Sequence, residues 1–355
     1  MKINKLVLVC SILSVLFFTA CSNDDDSVTQ KGDYENGILV SGEGSSAGTG
    51  SVSFISNDLA TSENLIYKKV NNAELGTFLQ SIAFDASRAF IVVDNANTVT
   101  VVDRFTFENE GEITTDLSTP RYMVVSGDKG YITNWGSTAD DTDDFIAVVD
   151  LSTYTVEKTI SVGNGPERII EREGKLYVSH KGAFTTNNII SVINITDDNV
   201  QEVTVKDNPD ELFFDNSGAL IVLSEGRTLY DANFNVLGHT LGSISKIDVS
   251  SLTVNSEINF ADGEHPSLMT LQNSTIYYAL GAGIYAMDIN ATTLPSSPVI
   301  TAEGFLYGME VGNNSVYTTN ASFTDVSVLN IYDLTTLEKI DSKEVALGAS
   351  KIYFN

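Results

Sequence analysis

Cysteine and tryptophan are almost absent from this 355-residue chain, which has two cysteines, Cys10 and Cys21, and one tryptophan. A zinc site built from several cysteines is therefore excluded, and so is a vicinal-cysteine redox centre. If Cys10 is removed with a leader segment, as proposed below, Cys21 has no partner. The mature chain can then contain no internal disulfide.

Basic residues are also scarce, with 20 Lys and Arg against 47 Asp and Glu, so the formal charge is 20 − 47 = −27. Such a field repels phosphate backbones and excludes a nucleic-acid-binding role. Charged residues make up only 19% of the chain and hydrophobic residues 42%, which indicates a folded core. Few prolines and many Val, Ile, Thr, Ser and Asn favour strands and turns over helices.

The N-terminus lacks an apolar run long enough to span a bilayer, since Leu6–Phe18 falls short of the roughly 20 residues required. A positive start, this short core and small residues before Cys21 resemble a bacterial lipoprotein signal. We predict that residues 1–20 are removed and that Cys21 carries the lipid. Residues 21–36 are acidic and polar and predict a tether. Their acid cluster resembles the surface-export signal of Bacteroidota lipoproteins, which implies an outer-membrane protein facing the cell exterior.

Residues 37–355 repeat one structural unit. Each unit contains an apolar position, and successive positions are 41, 46, 43, 57, 40 and 43 residues apart. Strand-like segments follow each of these positions, and the third strand of a unit usually ends in Asp. Four short strands per unit predict the blades of an all-β, seven-bladed β-propeller. The recurring apolar positions are Ile82, Met123, Ile169, Leu212, Met269, Met309 and Ile352.

The two ends of the repeat region complement each other. The first unit, Gly37–Phe78, lacks an initiating strand, and the last segment, Ser350–Phe354, has no continuation. We predict that the C-terminal strand joins the N-terminal blade and closes the ring, which removes two exposed sheet edges. A pair of β-sandwiches or an open solenoid would not explain this complementarity.

One face of the predicted ring carries the long, irregular connections, namely the second-to-third-strand loops and the blade junctions. All three histidines and the tryptophan fall there, and loops on a rigid scaffold are typical binding sites. In addition, the two residues directly before each recurring apolar residue should surround the mouth of the central channel. The identity of this pair differs from unit to unit. The predicted ligand-binding residues are Arg121, Tyr122, Trp135, Arg168, His180, Phe184, Glu211, His239, His265 and Tyr307.

The chemistry of these residues leaves alternatives open. Arg121 and Arg168 can clamp an anionic group, or they can form salt bridges to Glu167 or Asp210. Three histidines can bind a metal or the cobalt of a ligand, but each lies on a different loop and the sequence shows no ligand spacing. We therefore assign no metal, no cofactor and no catalytic residue.

Several segments resemble the YVTN-type repeats of YncE-like seven-bladed propellers, among them Ile160–Pro166, Lys175–Ser179 and Ile146–Leu151. The opening Gly37–Gly44, leading to Gly50–Phe54, is similar to the start of Bacteroidota surface lipoproteins of the BtuG type. That resemblance implies capture of cobalamin and its transfer to a TonB-dependent outer-membrane transporter. No cobalamin-contact motif is matched, so no binding residue is carried over.

Three functional hypotheses follow. The first is a surface-tethered protein that binds a bulky nutrient, with cobalamin or another corrinoid as the first candidate. The second is a propeller lactonase or lyase that uses Arg168, Glu211 and His265. The third is a glycan-binding or protein-interaction module. The sequence alone does not separate the first from the third.

Overall fold

The computed structural model describes residues 30–355. The predicted signal peptide, Cys21 and residues 21–29 of the predicted tether lie outside the described residues. Within residues 30–355, no helix has the length and apolar character needed to cross a membrane. The short helix α1 spans Ile66–Asn71.

The strands form seven four-stranded antiparallel blades over residues 30–355. Blade 1 begins with β1 (Gly37–Gly42), β2 (Ser51–Ser56) and β3 (Ser62–Glu63). Blade 2 contains β4 (Leu79–Phe84), β5 (Arg88–Val93), β6 (Thr98–Asp103) and β7 (Asn109–Ile113). Blade 3 contains β8 (Pro120–Ser126), β9 (Lys129–Asn134), β10 (Phe145–Asp150) and β11 (Thr155–Ser161).

The remaining blades follow in chain order, each starting at the channel. Blade 4 contains β12 (Pro166–Arg172), β13 (Lys175–His180), β14 (Ile189–Asn194) and β15 (Val200–Thr204). Blade 5 contains β16 (Pro209–Phe214) and β17 (Leu220–Ser224), then a hairpin of β18 (Arg227–Tyr230) and β19 (Val236–Thr240), then β20 (Ser243–Asp248) and β21 (Thr253–Asn259). Blade 6 contains β22 (Pro266–Gln272), β23 (Thr275–Leu280), β24 (Gly283–Asp288) and β25 (Ile300–Thr301). Blade 7 contains β26 (Leu306–Gly312), β27 (Ser315–Asn320), β28 (Ser327–Asp333) and β29 (Lys339–Val345), and β30 (Ala349–Phe354) ends the chain.

The predicted ring closure is confirmed. β30 pairs antiparallel with β1 from Ile38 opposite Phe354 to Gly42 opposite Ala349, and so forms the innermost strand of blade 1. The Tyr353 ring also packs edge-on against Phe84 of the neighbouring blade, with centroids 5.6 Å apart. The pairing gives β1 a hydrogen-bonded neighbour on both sides, β2 and β30.

The core lies between the blades because successive residues of a strand point to opposite faces. In β5, Ala89, Ile91 and Val93 pack toward blade 1, whereas Phe90 and Val92 pack toward blade 3. Both faces are buried, which explains the nearly continuous apolar runs in the sequence. The recurring apolar residues of the innermost strands line the central channel: Ile82, Met123, Ile169, Leu212, Met269, Met309 and Ile352.

Two segments differ from the sequence-based description. The predicted tether reaches residue 36, but Tyr34 is only 3% exposed and packs edge-on against Phe54 and Phe107. Its aromatic ring therefore belongs to the propeller. The long connection in blade 5, predicted as a loop, folds into the hairpin β18–β19, which accounts for the longest repeat interval.

Ring closure predicts that two isoleucines contribute very differently to the free energy of unfolding. Ile352 of β30 is 5% exposed, whereas Ile340 of β29 is 55% exposed. We expect Ile352→Ala to lower the free energy of unfolding by about 2–5 kcal/mol because it leaves a cavity in the core. Ile340→Ala should change it by less than about 1 kcal/mol. Urea unfolding followed by circular dichroism measures both, and equal effects would contradict the assigned role of β30.

Candidate functional site

A β-bulge at the start of each innermost strand builds the channel mouth. In all seven blades of the described chain, the register against the second strand shifts at this position. In blade 3, for example, Arg121 and Tyr122 lie between the pairs Pro120–Asn134 and Met123–Ile132, so both oppose Thr133. A bulge bends its strand and redirects side chains, which places these variable residues at the mouth.

A second ring of residues comes from the position directly after the second strand of each blade, and three of its members, Glu43, Lys181 and Glu225, line the mouth. Antiparallel pairing puts this position at the same end of the blade as the bulge. Blades 6 and 7 have small residues there, whereas the other blades have large or charged ones. In blade order the residues are Glu43, Asp94, Trp135, Lys181, Glu225, Gly281 and Ala321.

The mouth encloses a cavity of about 190 Å³. Four acidic and four basic side chains line it, so the mouth is balanced in charge although the chain as a whole is strongly acidic. They are Glu43, Glu167, Asp210 and Glu225, and Arg121, Arg168, Lys181 and Lys351. The remaining lining residues are neutral: Gln80, Tyr122, Ser267, Leu268, Leu306 and Tyr307.

Arg121 is held between two carboxylates and an indole ring. Its Nη1 donates to Asp94 at 2.7 Å, and its Nε and Nη2 donate to the two oxygens of Glu167 at 3.2 and 3.1 Å. The guanidinium carbon lies 3.8 Å from the centroid of the Trp135 ring. Burial lowers the pKa of Arg121, but Glu167 and Asp94 outweigh this effect and raise it overall. Arg121 is therefore a fixed cation.

Arg168 and Lys181 form a second ion-pair network. Arg168 Nε donates to Asp210 at 2.8 Å, its Nη2 donates to Glu211, and its guanidinium stacks 4.7 Å from the Tyr122 centroid. Lys181 Nζ donates to Asp210 and to Glu225, both at 2.8 Å. The sequence left open whether Arg121 and Arg168 clamp an anionic group or form salt bridges. In the structure both form salt bridges.

The pKa values of two carboxyl groups in this network are shifted in opposite directions. Burial would raise the pKa of Asp210, but Lys181 and Arg168 lower it well below its usual range. Burial raises the pKa of Glu211, Arg168 opposes this shift, and the adjacent Asp210 adds to it. Glu211 lies below the mouth. It lines a deeper cavity of about 230 Å³, which the apolar residues of the channel also line.

Lys351 lies at the boundary between the two cavities and lines both. Burial lowers its pKa and Arg168 lowers it further, while Glu43 and Glu211 oppose this shift. Among residues 30–355, no carboxylate lies within salt-bridge distance of its ammonium. Of the four basic residues that line the mouth, Lys351 is therefore the one whose side-chain nitrogen has no ion-pair partner among the described residues.

Aromatic side chains flank the mouth on two sides. Trp135 and Phe184 meet edge-on with centroids 5.7 Å apart, beside a surface cavity of about 220 Å³ that also includes Asp140, Asp141 and Asn164. A second group forms in blade 7, where Tyr307 stacks on Phe305 at 5.4 Å and meets Phe323 edge-on at 5.5 Å. The Tyr307 hydroxyl donates to Glu43.

The structure does not bring the three predicted histidines to the mouth. His180 is fully buried, and its ring nitrogens contact the Asn164 carbonyl and the Ser191 hydroxyl at 3.2 and 2.8 Å. His239 of the hairpin and His265 of the blade 5–6 junction lie beside each other and line neither of the two central cavities. The other predicted residues do line the central cavities or the Trp135–Phe184 surface: Arg121, Tyr122, Trp135, Arg168, Phe184, Glu211 and Tyr307.

The sequence-based selection missed Glu43, Asp94, Lys181 and Glu225. The case of Lys181 shows why. His180 ends its strand and points into the blade, so the next residue points the opposite way, into the mouth. Aligning the units on the ends of their second strands, instead of selecting rare residue types, would have identified this ring.

His180 predicts a pH effect on stability. Burial lowers its pKa to about 4, from about 6.5 in an unfolded chain, so the unfolded state takes up the proton first. The stabilisation from neutral His180 is complete above pH 6.5 and is lost as the pH falls toward 4. We expect a loss of about 2 kcal/mol between pH 7 and pH 5 that His180→Asn does not show. Urea unfolding of both proteins at several pH values tests this, and parallel pH profiles would contradict it.

Fold and site together define a closed seven-bladed β-propeller with a charged mouth on its loop-rich face. A family model described as "Domain of unknown function (DUF5074)" matches residues 36–213, half of the chain. The chain therefore belongs to this family. No curated protein matches it in sequence.

Solved structures share the propeller fold at low identity. Dihydro-heme d1 dehydrogenase NirN in complex with DHE is 13% identical, with a TM-score of 0.57 over 91% of this chain and 76% of that one. Kuenenia stuttgartiensis hydrazine synthase is 17% identical, with a TM-score of 0.57 over 76% and 87%. Apo AztD from Citrobacter koseri is 12% identical, with a TM-score of 0.53 over 89% and 96%. At these identities the likeness shows the fold alone.

Proposed function

We propose that this protein is a binding protein that captures a bulky, polar nutrient on its loop-rich face. Cobalamin or a related corrinoid is the first ligand to test, because the repeats and the N-terminal segment resemble BtuG-type proteins. The observation that carries the proposal is the charged, pre-ordered mouth between two aromatic groups. The ion pairs of Arg121 and Arg168 fix the mouth before binding, which limits the entropy lost on association.

The size of the mouth constrains how a large ligand would bind. Pockets that enclose drug-sized ligands measure about 300–1,000 Å³, whereas the mouth cavity measures about 190 Å³. A corrinoid would therefore lie across the face and insert one polar group into the mouth. Lys351 would bind an anionic part of that group, and the charged side chains would bind amides.

A glycan is the second candidate ligand, supported by the surface beside Trp135. Aromatic rings next to the carboxylates of Asp140 and Asp141 and the amide of Asn164 provide both stacking and hydrogen-bonding partners for a sugar. This surface adjoins the central mouth, because Trp135 contacts Arg121, which lines the mouth. Binding of polysaccharides with no binding of corrinoids would favour it.

The lactonase or lyase hypothesis has less support from the positions of its residues. Arg168 is paired with Glu211, whereas the Nε2 of His265 faces His239, away from the lining of the mouth. These three groups do not converge on one cavity in which a substrate could contact all of them.

A titration with cyanocobalamin tests the proposed ligand. Trp135 is the only tryptophan in the chain, so intrinsic tryptophan fluorescence reports directly from the edge of the mouth. We expect a saturable change with a stoichiometry of one, confirmed by isothermal titration calorimetry. Absence of binding at micromolar concentrations would rule out the corrinoid.

Two phenylalanines provide a matched pair of variants. Phe184 beside Trp135 is 63% exposed and Phe234 at the tip of the hairpin is 85% exposed, so neither truncation should disturb the core. We expect Phe184→Ala to weaken binding roughly threefold to tenfold, the contribution of one aromatic contact, and Phe234→Ala to leave it unchanged. Equal affinities would place the ligand away from Trp135.

The location and the partner of the protein are further parts of the proposal. The lipoprotein-like signal supports attachment to the outer membrane through Cys21, facing the exterior. The resemblance to BtuG-type proteins supports transfer of the ligand to a TonB-dependent transporter. Transfer predicts that the protein and a TonB-dependent receptor encoded beside its gene purify together from membranes.

Anchoring can be tested by one substitution. We expect Cys21→Ser to prevent lipid attachment and to move the protein from the membrane fraction to the soluble fraction, because a single thiol would carry the lipid. Metabolic labelling with palmitate and cell fractionation measure this, with Cys10→Ser as the matched control. Retention of Cys21→Ser in membranes would show that another segment holds the protein there.

A further inference from the structure

Three polar atoms meet where the blade 5 hairpin contacts the start of blade 6. His239 Nδ1 lies 3.0 Å from His265 Nε2, and the Thr228 hydroxyl lies 3.2 and 3.3 Å from these nitrogens. Thr228 and His239 face each other in the hairpin register, and His265 directly precedes β22. Residues distant in sequence therefore form one compact donor set.

The other ring nitrogen of His265, Nδ1, already has a hydrogen-bond partner. Its Nδ1 lies 3.0 Å from the carbonyl oxygen of Glu225, and a carbonyl can only accept, so Nδ1 carries the hydrogen. In the neutral ring, Nε2 then presents a lone pair toward His239. Histidines that bind metals are commonly oriented in this way, with the other ring nitrogen donating to a backbone carbonyl or a carboxylate.

We propose that His239 and His265, with the Thr228 hydroxyl beside them, bind a divalent transition-metal ion such as Zn²⁺. Two imidazole nitrogens at the usual Zn–N distance and a tetrahedral angle lie about 3.3 Å apart. The observed 3.0 Å requires only a small adjustment of the hairpin. The ion replaces the contact between the two rings and leaves coordination positions open to water or to a ligand group.

The donor set defines what kind of metal site this is. Within residues 30–355, no three His, Cys, Asp or Glu side chains form a metal-binding group, so this site has two strong ligands and one weak one. Imidazole favours Zn²⁺, Cu²⁺ and Ni²⁺ over Ca²⁺ and Mg²⁺. The ion would connect the blade 5 insertion to blade 6, beside Glu225, whose carboxylate lines the mouth.

Calorimetric titration of the EDTA-treated, dialysed protein with ZnCl₂ tests the site without any nutrient ligand. We expect one ion per chain, affinity at least about tenfold weaker in His239→Gln and in His265→Gln, and no binding in the double variant. His180→Asn is the matched control, because the ring nitrogens of His180 already contact the Asn164 carbonyl in the blade 3–4 connection and the Ser191 hydroxyl of blade 4. Thermal melting in EDTA verifies that each variant folds.

Spectroscopy gives a second, independent readout. Cu²⁺ bound to the wild-type protein should show electron paramagnetic resonance couplings from two imidazole nitrogens, and from one in each single variant. The proposal is overturned if the wild-type protein binds no Zn²⁺ up to submillimolar concentrations. It is also overturned if the double variant binds as tightly as the wild type, since the ion then sits elsewhere. Neither result depends on whether corrinoids bind.

Discussion

The pairing of β30 with β1 is the constraint on which the rest of the molecule depends. It supplies the innermost strand of blade 1 from the far end of the chain and so completes the wall of the channel. Ser350 and Lys351 reach the channel only because this strand closes the ring. The mouth is therefore a property of the closed ring and cannot form in a single blade.

The ring in turn explains how charged groups persist at a buried site. Arg121 and Arg168 are each held by two carboxylates from neighbouring blades, and the aromatic rings of Trp135 and Tyr122 cover their guanidinium planes. Buried ion pairs contribute little to net stability, but removing one partner leaves an uncompensated charge at a high cost. The network therefore fixes the geometry of the mouth.

The sequence was sufficient for the fold but only in part for the site. The four short strands of each unit predicted the blades, because the pattern of a strand is visible in its local sequence. The orphan segment Ser350–Phe354 and the incomplete first unit predicted the closure of the ring. The histidines are predicted as site residues because they lie in or next to the long connections of one face, and this placement does not determine side-chain direction. His180 and Lys181 are adjacent, yet one is buried in a blade and the other lines the mouth. The contact between His239 and His265 depends on a hairpin that the sequence pattern did not reveal.

The bulges have a consequence for how such a protein diversifies. In blade 3, Arg121 and Tyr122 stand outside the regular ladder that joins Pro120 to Asn134 and Met123 to Ile132. Exchanging such residues leaves the strand register intact, but Arg121 and Tyr122 also contact side chains of neighbouring blades, so a change at one bulge requires a matching change at its partners. Diversity among the blades is thus concentrated at positions that the regular strand ladder does not use.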